Sequence, residues 1–510
     1  MPRKEVGLTV AQERLVLLGL LAAGFLVRAV KADQPIVENY VGRQIPTAMV
    51  ARNLDRGSGF LRPQLDTGPF PNLFLVEPPI YELCVVALKR ETGMPLEPAG
   101  RIVSALATAL AAWGLNGLVR RREGPGVALV AVAAFLVFPV TIRYGRAFQP
   151  DALMLGTLLA GMRCWDEHSA TRLGFWLAAG WMLLATALAL KVTSAYILVP
   201  LLLVISRPRG WWPVLLAALA LVPAALWYTQ AAALMARGTG SAATENAAVW
   251  AQALVPVAWL RPRVYESLAR FLVWRAFTPL GIGLGILGLW WPPSADRLWK
   301  CWALAASGAL IILAGKLHHE YYFLALAPVF AVGVARVVNA LIPLGMSGRI
   351  AAVLAASGML GLSAALSAST WRTPAEWGHL VDASQILRSG SNRDRLIIAP
   401  EALLYMADRR GYRLEFTSEA AARALREWNA PPTSHPGPLD LIEFYREQGA
   451  SAVAEVQSEP LDASRRGLHE ALRAGFPDGI AIDRKGVLLL VRLSRQQHAS
   501  SRIGRTGSVP

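Results

Sequence analysis

Up to about residue 368 the chain alternates between long apolar runs and short polar breaks. Apolar runs lie near residues 14–30, 101–119, 126–142, 152–165, 173–190, 192–206, 211–230, 272–292, 300–315, 321–342 and 350–368. Each approaches the length that a helix needs to cross a hydrocarbon core about 30 Å thick, so the pattern predicts eleven spans. Every second break is basic: Arg120 to Arg122, Arg172, Arg207 with Arg209, Arg297 with Lys300, then Arg349. Lys and Arg resist translocation, which places those breaks and the N-terminus in the cytoplasm. An odd number of spans leaves everything after Ser369 outside. PPIYELCVVALKRETG, from Pro78, is also apolar, but counting it as a span would put Arg120 to Arg122 outside. It is therefore laid on the outer membrane surface as an amphipathic element.

After residue 370 the pattern changes. DRLIIAP and GVLLLVRLS read as strands and alternate with helical stretches such as PLDLIEFYREQGA, which predicts a small α/β domain. The fold class expected is a polytopic α-helical membrane protein with about eleven transmembrane helices and an extracytoplasmic C-terminal α/β domain. Its parts are a membrane module over 1–369 with a first outer loop over 31–100, the α/β domain over 370–495, and a polar Ser/Gly-rich tail over 496–510 expected to be disordered.

Composition agrees. Hydrophobic residues make up 54% and charged ones 17% of 510 residues, with a mean hydropathy of +0.39, outside the range of soluble domains. The net charge of +16 could favour nucleic acid, but its arginines sit in short clusters between apolar runs and not along one face, so no nucleic-acid partner is expected. Cys84, Cys164 and Cys301 lack metal-ligand spacing and indicate neither a zinc site nor a disulfide framework. The basic N-terminus is followed by no small-residue cleavage site and reads as a retained first helix. Gly283, Gly285 and Gly288 spell a dinucleotide-like pattern inside an apolar run with no preceding strand, so close helix packing through Gly281 and Gly285 is the better reading.

The chemistry gathers on the expected outer face. VENYVGRQIPTAMVARNLDRGSGF, from Val37, carries far more polar groups than a connector needs, Glu38, Arg43 and Gln44 among them. Glu77 follows in the same loop, Asp151 ends RYGRAFQPD, and GKLHHEYY brings Lys316, His318, His319, Tyr321 and Tyr322. Carboxylates in such places act as general bases or metal ligands, and histidines hold metals or phosphates. Lys316, Arg43 and Arg146 suit a lipid-linked phosphate. Plain alternatives stay open: Glu38 as a solvated loop acid, Asp151 as a first-turn acid facing a helix dipole, the His and Tyr residues as interfacial anchors, and Lys191 in ALKVTSA as a snorkelling lysine or a donor-phosphate contact.

Four of these stretches resemble, in order, the motifs of the polyprenyl-phosphate-sugar-dependent glycosyltransferases of the GT-C class, the group of the protein O-mannosyltransferases and the lipid A aminoarabinose transferases. They are RQIPTAMVARNL, with Glu38 in the acidic position before it, FLVEPPIYE, RYGRAFQPDALM and GKLHHEYYFLALAP. The resemblance covers about residues 14 to 345. It implies a GT-C fold in the bacterial cytoplasmic membrane and an inverting transfer from a polyprenyl-phosphate sugar to a lipid, glycan or protein acceptor. Glu38, Asp33 and Asp151 become the catalytic candidates. Relatives often carry an Asp-Glu pair where Arg43 and Gln44 stand, which moves the base upstream to Glu38 or Asp33. Arg43, Gln44, Arg146, Lys191, Lys316, Tyr321 and Tyr322 would bind donor phosphate or substrate, and Glu77, His318 and His319 would hold a divalent cation. The competing classes are a transporter or flippase and a lipid-linked glycan ligase with a diphosphate donor. Charges at helix ends and the lack of an internal repeat favour the transferase over a transporter.

Overall fold

Thr9 and Gln12 exchange hydrogen bonds in a capping box that starts α1 (Val10–Ala29), the helix of the first apolar run. The structure, a computed structural model, describes residues 9–36, 41–205, 211–237, 259–293, 296–317, 319–390, 395–428, 430, 437–457, 462–482 and 486–493. The tail expected over 496–510 lies outside these residues. The described residues up to Leu65, with Phe70–Ala375, form one compact unit; Asp66–Pro69 and the described residues from Glu376 form another.

The first unit is helical throughout. After α1 come α2 (Val41–Asp55), α3 (Ile80–Thr92), α4 (Leu96–Glu123), α5 (Pro125–Val137), α6 (Pro139–Tyr144), α7 (Asp151–Thr171) and α8 (Gly174–Leu190). Further helices cover each later apolar run, ending with Ala327–Leu341 and Gly345–Ser367. Among the described residues, Val10–Ala29, Leu96–Glu123, Trp212–Ala236 and the stretch Glu320–Trp371 are long and apolar enough to cross a membrane, and Pro125–Val137, Gly174–Leu190, Val192–Ile205 and Leu298–Ile312 are shorter apolar helices.

One expected span is not straight. The run near 272–292 breaks at Thr278, where Pro262–Phe277 and Pro279–Trp290 meet at 91°. Pro279 disfavours helical geometry in the residue before it, and Thr278 adopts φ 67° while its hydroxyl accepts from the Gly281 N–H at 3.0 Å, capping the new helix.

The basic cluster in the last turn of α4 is paired with acids. Arg120 pairs with Glu13, Arg121 with Asp166 at 2.9 Å, and Arg122 with Asp166 and with Asp296 at 2.9 Å. These pairs tie the ends of α1, α4, α7 and the Leu298–Ile312 helix together.

Small residues set the helix spacing. A Cβ on Gly288 would fall 1.9 Å from the Gly333 carbonyl oxygen, and one on Gly333 would fall 2.0 Å from that of Gly285. Helices Pro279–Trp290 and Ala327–Leu341 therefore touch backbone to backbone, as apolar spans without a hydrophobic drive between them often do. Close packing falls on Gly285 and Gly288; Gly281 faces the Phe138 ring, and Gly283 has nothing within 4 Å of its would-be Cβ.

The second unit contains a five-stranded sheet in the order β2-β1-β3-β5-β4. Its strands are β1 (Ile397–Ala399), β2 (Gly411–Arg413), β3 (Ala452–Val456), β4 (Ile480–Ile482) and β5 (Leu488–Arg492). β1 runs parallel to β2 and β3, with helices making the crossovers, and β5 is antiparallel to β3 and β4. Residues 66–69 of the first loop belong here: the Gly411 N–H donates to the Asp66 carbonyl at 3.0 Å, and the Gly68 N–H to the Gly411 carbonyl at 2.8 Å. A side chain at Gly68 would collide with Tyr412 at 2.7 Å. The first loop thus contributes a strip to the α/β unit, whose other described residues begin at Glu376.

Gly288→Ala should lower the thermal denaturation midpoint in detergent, with a loss of about 1–3 kcal/mol from overpacking. Gly283→Ala, with open space around it, should leave the midpoint unchanged or raise it.

Candidate active site

Two buried arginines shape the entrance to the first loop. Arg101 on α4 donates to the carbonyls of Ala32 (2.7 Å), Gln34 and Pro35 (3.1 Å). Arg146 donates to the carbonyls of Lys31 (2.9 Å) and Thr370 (3.1 Å). Arg146, expected at the donor phosphate, is fully buried and its guanidinium holds backbone turns in place. Asp33 rides exposed on the same turn. Glu38 and His318 lie outside the described residues.

α2 is then clamped against its neighbours. Gln44 is buried and its side-chain oxygen accepts from the Phe148 N–H at 2.7 Å. Asn53 donates to the Gln64 carbonyl at 2.9 Å. Asp55 pairs with Lys89 at 2.7 Å and Arg90 at 2.9 Å on α3. Pro78 and Pro79 lead into α3, so Glu77 sits just before that helix, and the clamp brings it against the first turn of α2. Arg43 there forms an ion pair with Glu77 and lies 5.1 Å over the Phe74 ring.

A second pair stands nearby. Asp151, the first residue of α7, accepts from Lys191 at 2.5 Å and from Gln149 at 2.9 Å. Lys191, which ends α8, also lies 4.1 Å from the Tyr321 ring centroid and 5.6 Å from that of Tyr322, a cation over aromatic faces. Tyr321 and Tyr322 lie on the 3-10 stretch Glu320–Leu326. That stretch is fixed by buried Glu320, which pairs with Arg143 at 2.9 Å and Arg275 at 2.5 Å. His319 stacks on Tyr321 at 5.5 Å.

Arg43 is the common neighbour. Its charge acts on Lys191, Lys316, Tyr321, Tyr322, Tyr228 and Glu82. Burial pushes Lys191 below its ordinary pKa, with Arg43 adding to the shift and Asp151 opposing it. Lys316 is lowered by burial and then by Arg43. Lysines lowered by a neighbouring guanidinium would regain their charge beside an anion. Burial also pushes His319 down to about 4, leaving it neutral at pH 7.

Of the residues expected at the site, Arg43, Glu77, Asp151, Lys191, Lys316, His319, Tyr321 and Tyr322 are brought together. Arg146 and Gln44 act as supports. The expected divalent site is not assembled among the described residues: Glu77 is bonded to Arg43, and no group of three or more His, Cys, Asp or Glu is positioned for a metal.

Sequence reading missed Glu82 and Glu320, although both stand in the quoted stretches. Glu82 shares a helical face with Val85 and Val86, all buried; a carboxylate inside an apolar stripe was the available signal. It is 2% exposed, and its Oε2 has no hydrogen-bond partner among the described residues. Burial pushes it up to about 7, with Arg43 pulling the other way.

Comparison with known proteins bears on this arrangement. The family model described as dolichyl-phosphate-mannose-protein mannosyltransferase matches residues 79–228, a stretch holding Glu82, Asp151 and Lys191. ArnT from Cupriavidus metallidurans, in a structure bound to undecaprenyl phosphate, superposes with a TM-score of 0.61 at 14% identity, covering 95% of this chain and 98% of that one. The chain has a GT-C fold. The Archaeoglobus fulgidus oligosaccharyltransferase, in a complex with Zn and sulfate, matches at a TM-score of 0.55 and 12% identity, over 86% of this chain and 68% of that one. The mycobacterial arabinofuranosyltransferase AftD matches at 0.56 and 14% identity, over 95% and 40%. Comparison with curated proteins by sequence finds no match. The matched family and all three structures are glycosyltransferases of the GT-C class, so the resemblance read from the four motifs is borne out. The GT-C likeness extends well beyond residues 14 to 345, over 95% of the chain.

Glu320→Ala would leave Arg143, 4% exposed at its side chain, without its carboxylate. Removing one partner of a buried pair costs about 3 kcal/mol or more, so the midpoint of thermal unfolding in detergent should fall markedly, and less in Glu320→Gln.

Proposed function

We propose that this chain is an inverting glycosyltransferase that moves a sugar from a polyprenyl-phosphate donor to an acceptor on the outer side of the bacterial cytoplasmic membrane. The observation that carries the reading is the gathering of Lys191 and Lys316 within the field of Arg43, with Lys191 over the faces of Tyr321 and Tyr322. A phosphate at headgroup depth is the ligand such a group would hold. The related ArnT structure contains undecaprenyl phosphate, and an archaeal oligosaccharyltransferase structure contains dolichol phosphate.

In the reaction, an acceptor hydroxyl attacks the anomeric carbon in line as the bond to the phosphate oxygen breaks. The cations stabilise the charge that grows on the departing polyprenyl phosphate. Asp151, held by Lys191 and Gln149, fixes Lys191 for that task. The acceptor is a lipid, glycan or protein of the cell envelope.

The reading requires the first loop to face outward. With eleven spans, a reporter fused after Ser369 should be active only outside the cytoplasm and one fused at Arg122 only inside; an inside Ser369 would remove the outer-face site.

Purified protein should turn over polyprenyl-phosphate sugar and release the lipid monophosphate. Lys316→Ala should weaken donor binding about tenfold or more, as loss of a charge-assisted contact implies. Efficient use of a nucleotide sugar added alone, or release of a lipid diphosphate, would overturn the proposal.

A further inference from the structure

The carboxylates gathered around the site differ in one respect. Glu77 is bonded to Arg43, Asp151 to Lys191 and Gln149, and Glu320 to Arg143 and Arg275. Each is a committed acceptor. A carboxylate tied to a buried cation is a poor base, because taking a proton would strip the cation of its partner. Glu82 is more deeply buried than Glu77, at 2% against 8% exposure, yet its Oε2 has no partner among the described residues. It lies within the field of Arg43 without being bonded to it.

Resting on the glycosyl-transfer reading, we infer that Glu82 is the group that takes the proton of the acceptor hydroxyl. The acceptor oxygen bonds to the anomeric carbon as the bond from that carbon to the phosphate oxygen breaks. The electron pair of the broken bond stays with polyprenyl phosphate, beside Arg43, and the acceptor's proton passes to the Glu82 carboxylate. Charge then grows on the phosphate while the Glu82 charge disappears, so the net charge beside Arg43 is conserved through the step.

The electrostatic setting suits this role. A base is most effective when its pKa lies near the working pH, and burial holds Glu82 near 7. Two groups oppose that burial, the backbone N–H of Glu82 itself and then Arg43 from α2, while Glu82 in turn acts on Tyr81 and Cys84 of its own helix. Tyr81 is pinned through its hydroxyl to the Gly100 carbonyl at 2.8 Å and Ser104 at 3.1 Å, and burial raises both it and Cys84. On α4, Arg101 is engaged by backbone carbonyls. Burial thus holds the Glu82 carboxyl near the pH at which a base works best.

The test uses the full-length protein in detergent, undecaprenyl-phosphate sugars extracted from wild-type cells as donor, and membranes from a strain deleted for the protein as the source of acceptor. The native protein should lose transfer about tenfold per pH unit below pH 7. Glu82→Gln should lower transfer about a hundredfold or more, retain donor binding and abolish that acidic limb; Glu82→Asp should keep part of the activity. Infrared difference spectra between pH 5 and 9 should show a protonated carboxyl band that titrates near neutrality and is absent from Glu82→Gln. A raised carboxyl pKa means that stability is lost as pH rises through 7, so Glu82→Gln should also unfold at a higher temperature than the native protein at pH 8. This separates lost chemistry from lost folding. Full transfer by Glu82→Gln, or a Glu38→Gln variant that dies while Glu82→Gln stays active, overturns the proton assignment and leaves the transfer reading standing. Native protein that is inert toward every lipid-linked donor sinks the transfer reading itself.

Discussion

A guanidinium buried away from water must find acceptors for its hydrogen bonds, and the membrane unit is organised around that demand. Arg28, Arg101, Arg143, Arg146 and Arg336 are all nearly or fully buried. Arg28 donates to the carbonyls of Gly24 at 2.8 Å, Leu136 at 2.9 Å and Thr141 at 3.2 Å. These contacts fall where Pro139 interrupts the helical ladder between α5 and α6, a break that leaves carbonyls without their usual N–H donors. The hydroxyl of Thr141 covers the Phe135 carbonyl there as well. A charge that would be costly alone repairs a helix break that would be costly alone, and α1 is thereby docked onto α5 and α6.

The cations of the candidate site are handled differently. Arg43 and Lys191 are opposed mainly by the carboxylates of Glu77 and Asp151. A carbonyl partner fixes a guanidinium permanently, whereas a carboxylate partner lets the balance of charge shift when an anion arrives. Lys316, lowered by burial and by Arg43, adds positive charge to the same group. The aromatic faces of Tyr321 and Tyr322 cover Lys191 and screen it from bulk water, which strengthens whatever electrostatic contact it makes. The scaffold is thus fixed by arginines on backbone carbonyls and on Glu320, whereas at the candidate site Arg43 and Lys191 face carboxylates whose balance an anion would shift.

Much of the site was legible along the chain. Asp151, Lys316 and the tyrosines stand at the ends of apolar runs and Arg43 in the polar first loop, and the structure brings them together. The assignments that changed share one cause. Arg146 reads the same as Arg43 in sequence, a cation on the expected outer face, but its burial and its carbonyl partners at Lys31 and Thr370 involve residues 115 and 224 positions away. Glu82, which sequence reading passed over, is buried in the same way, on a helix packed against α2 and α4.

The hydrophobic pattern by itself determined where the apolar helices form and that a strand-bearing part follows them, because the length and apolarity of a segment decide whether it prefers lipid, and alternation decides whether it suits a sheet. It could not determine that the run near 272–292 bends by 91° at Thr278, nor that residues 66–69 pack on β2, since both depend on partners remote in the chain. Protonation and pairing were likewise decided by tertiary structure. Each side chain carries its charge in its formula, but whether that charge meets a carbonyl, a carboxylate or nothing is fixed only when distant helices close around it, and desolvation then sets the energy of the answer.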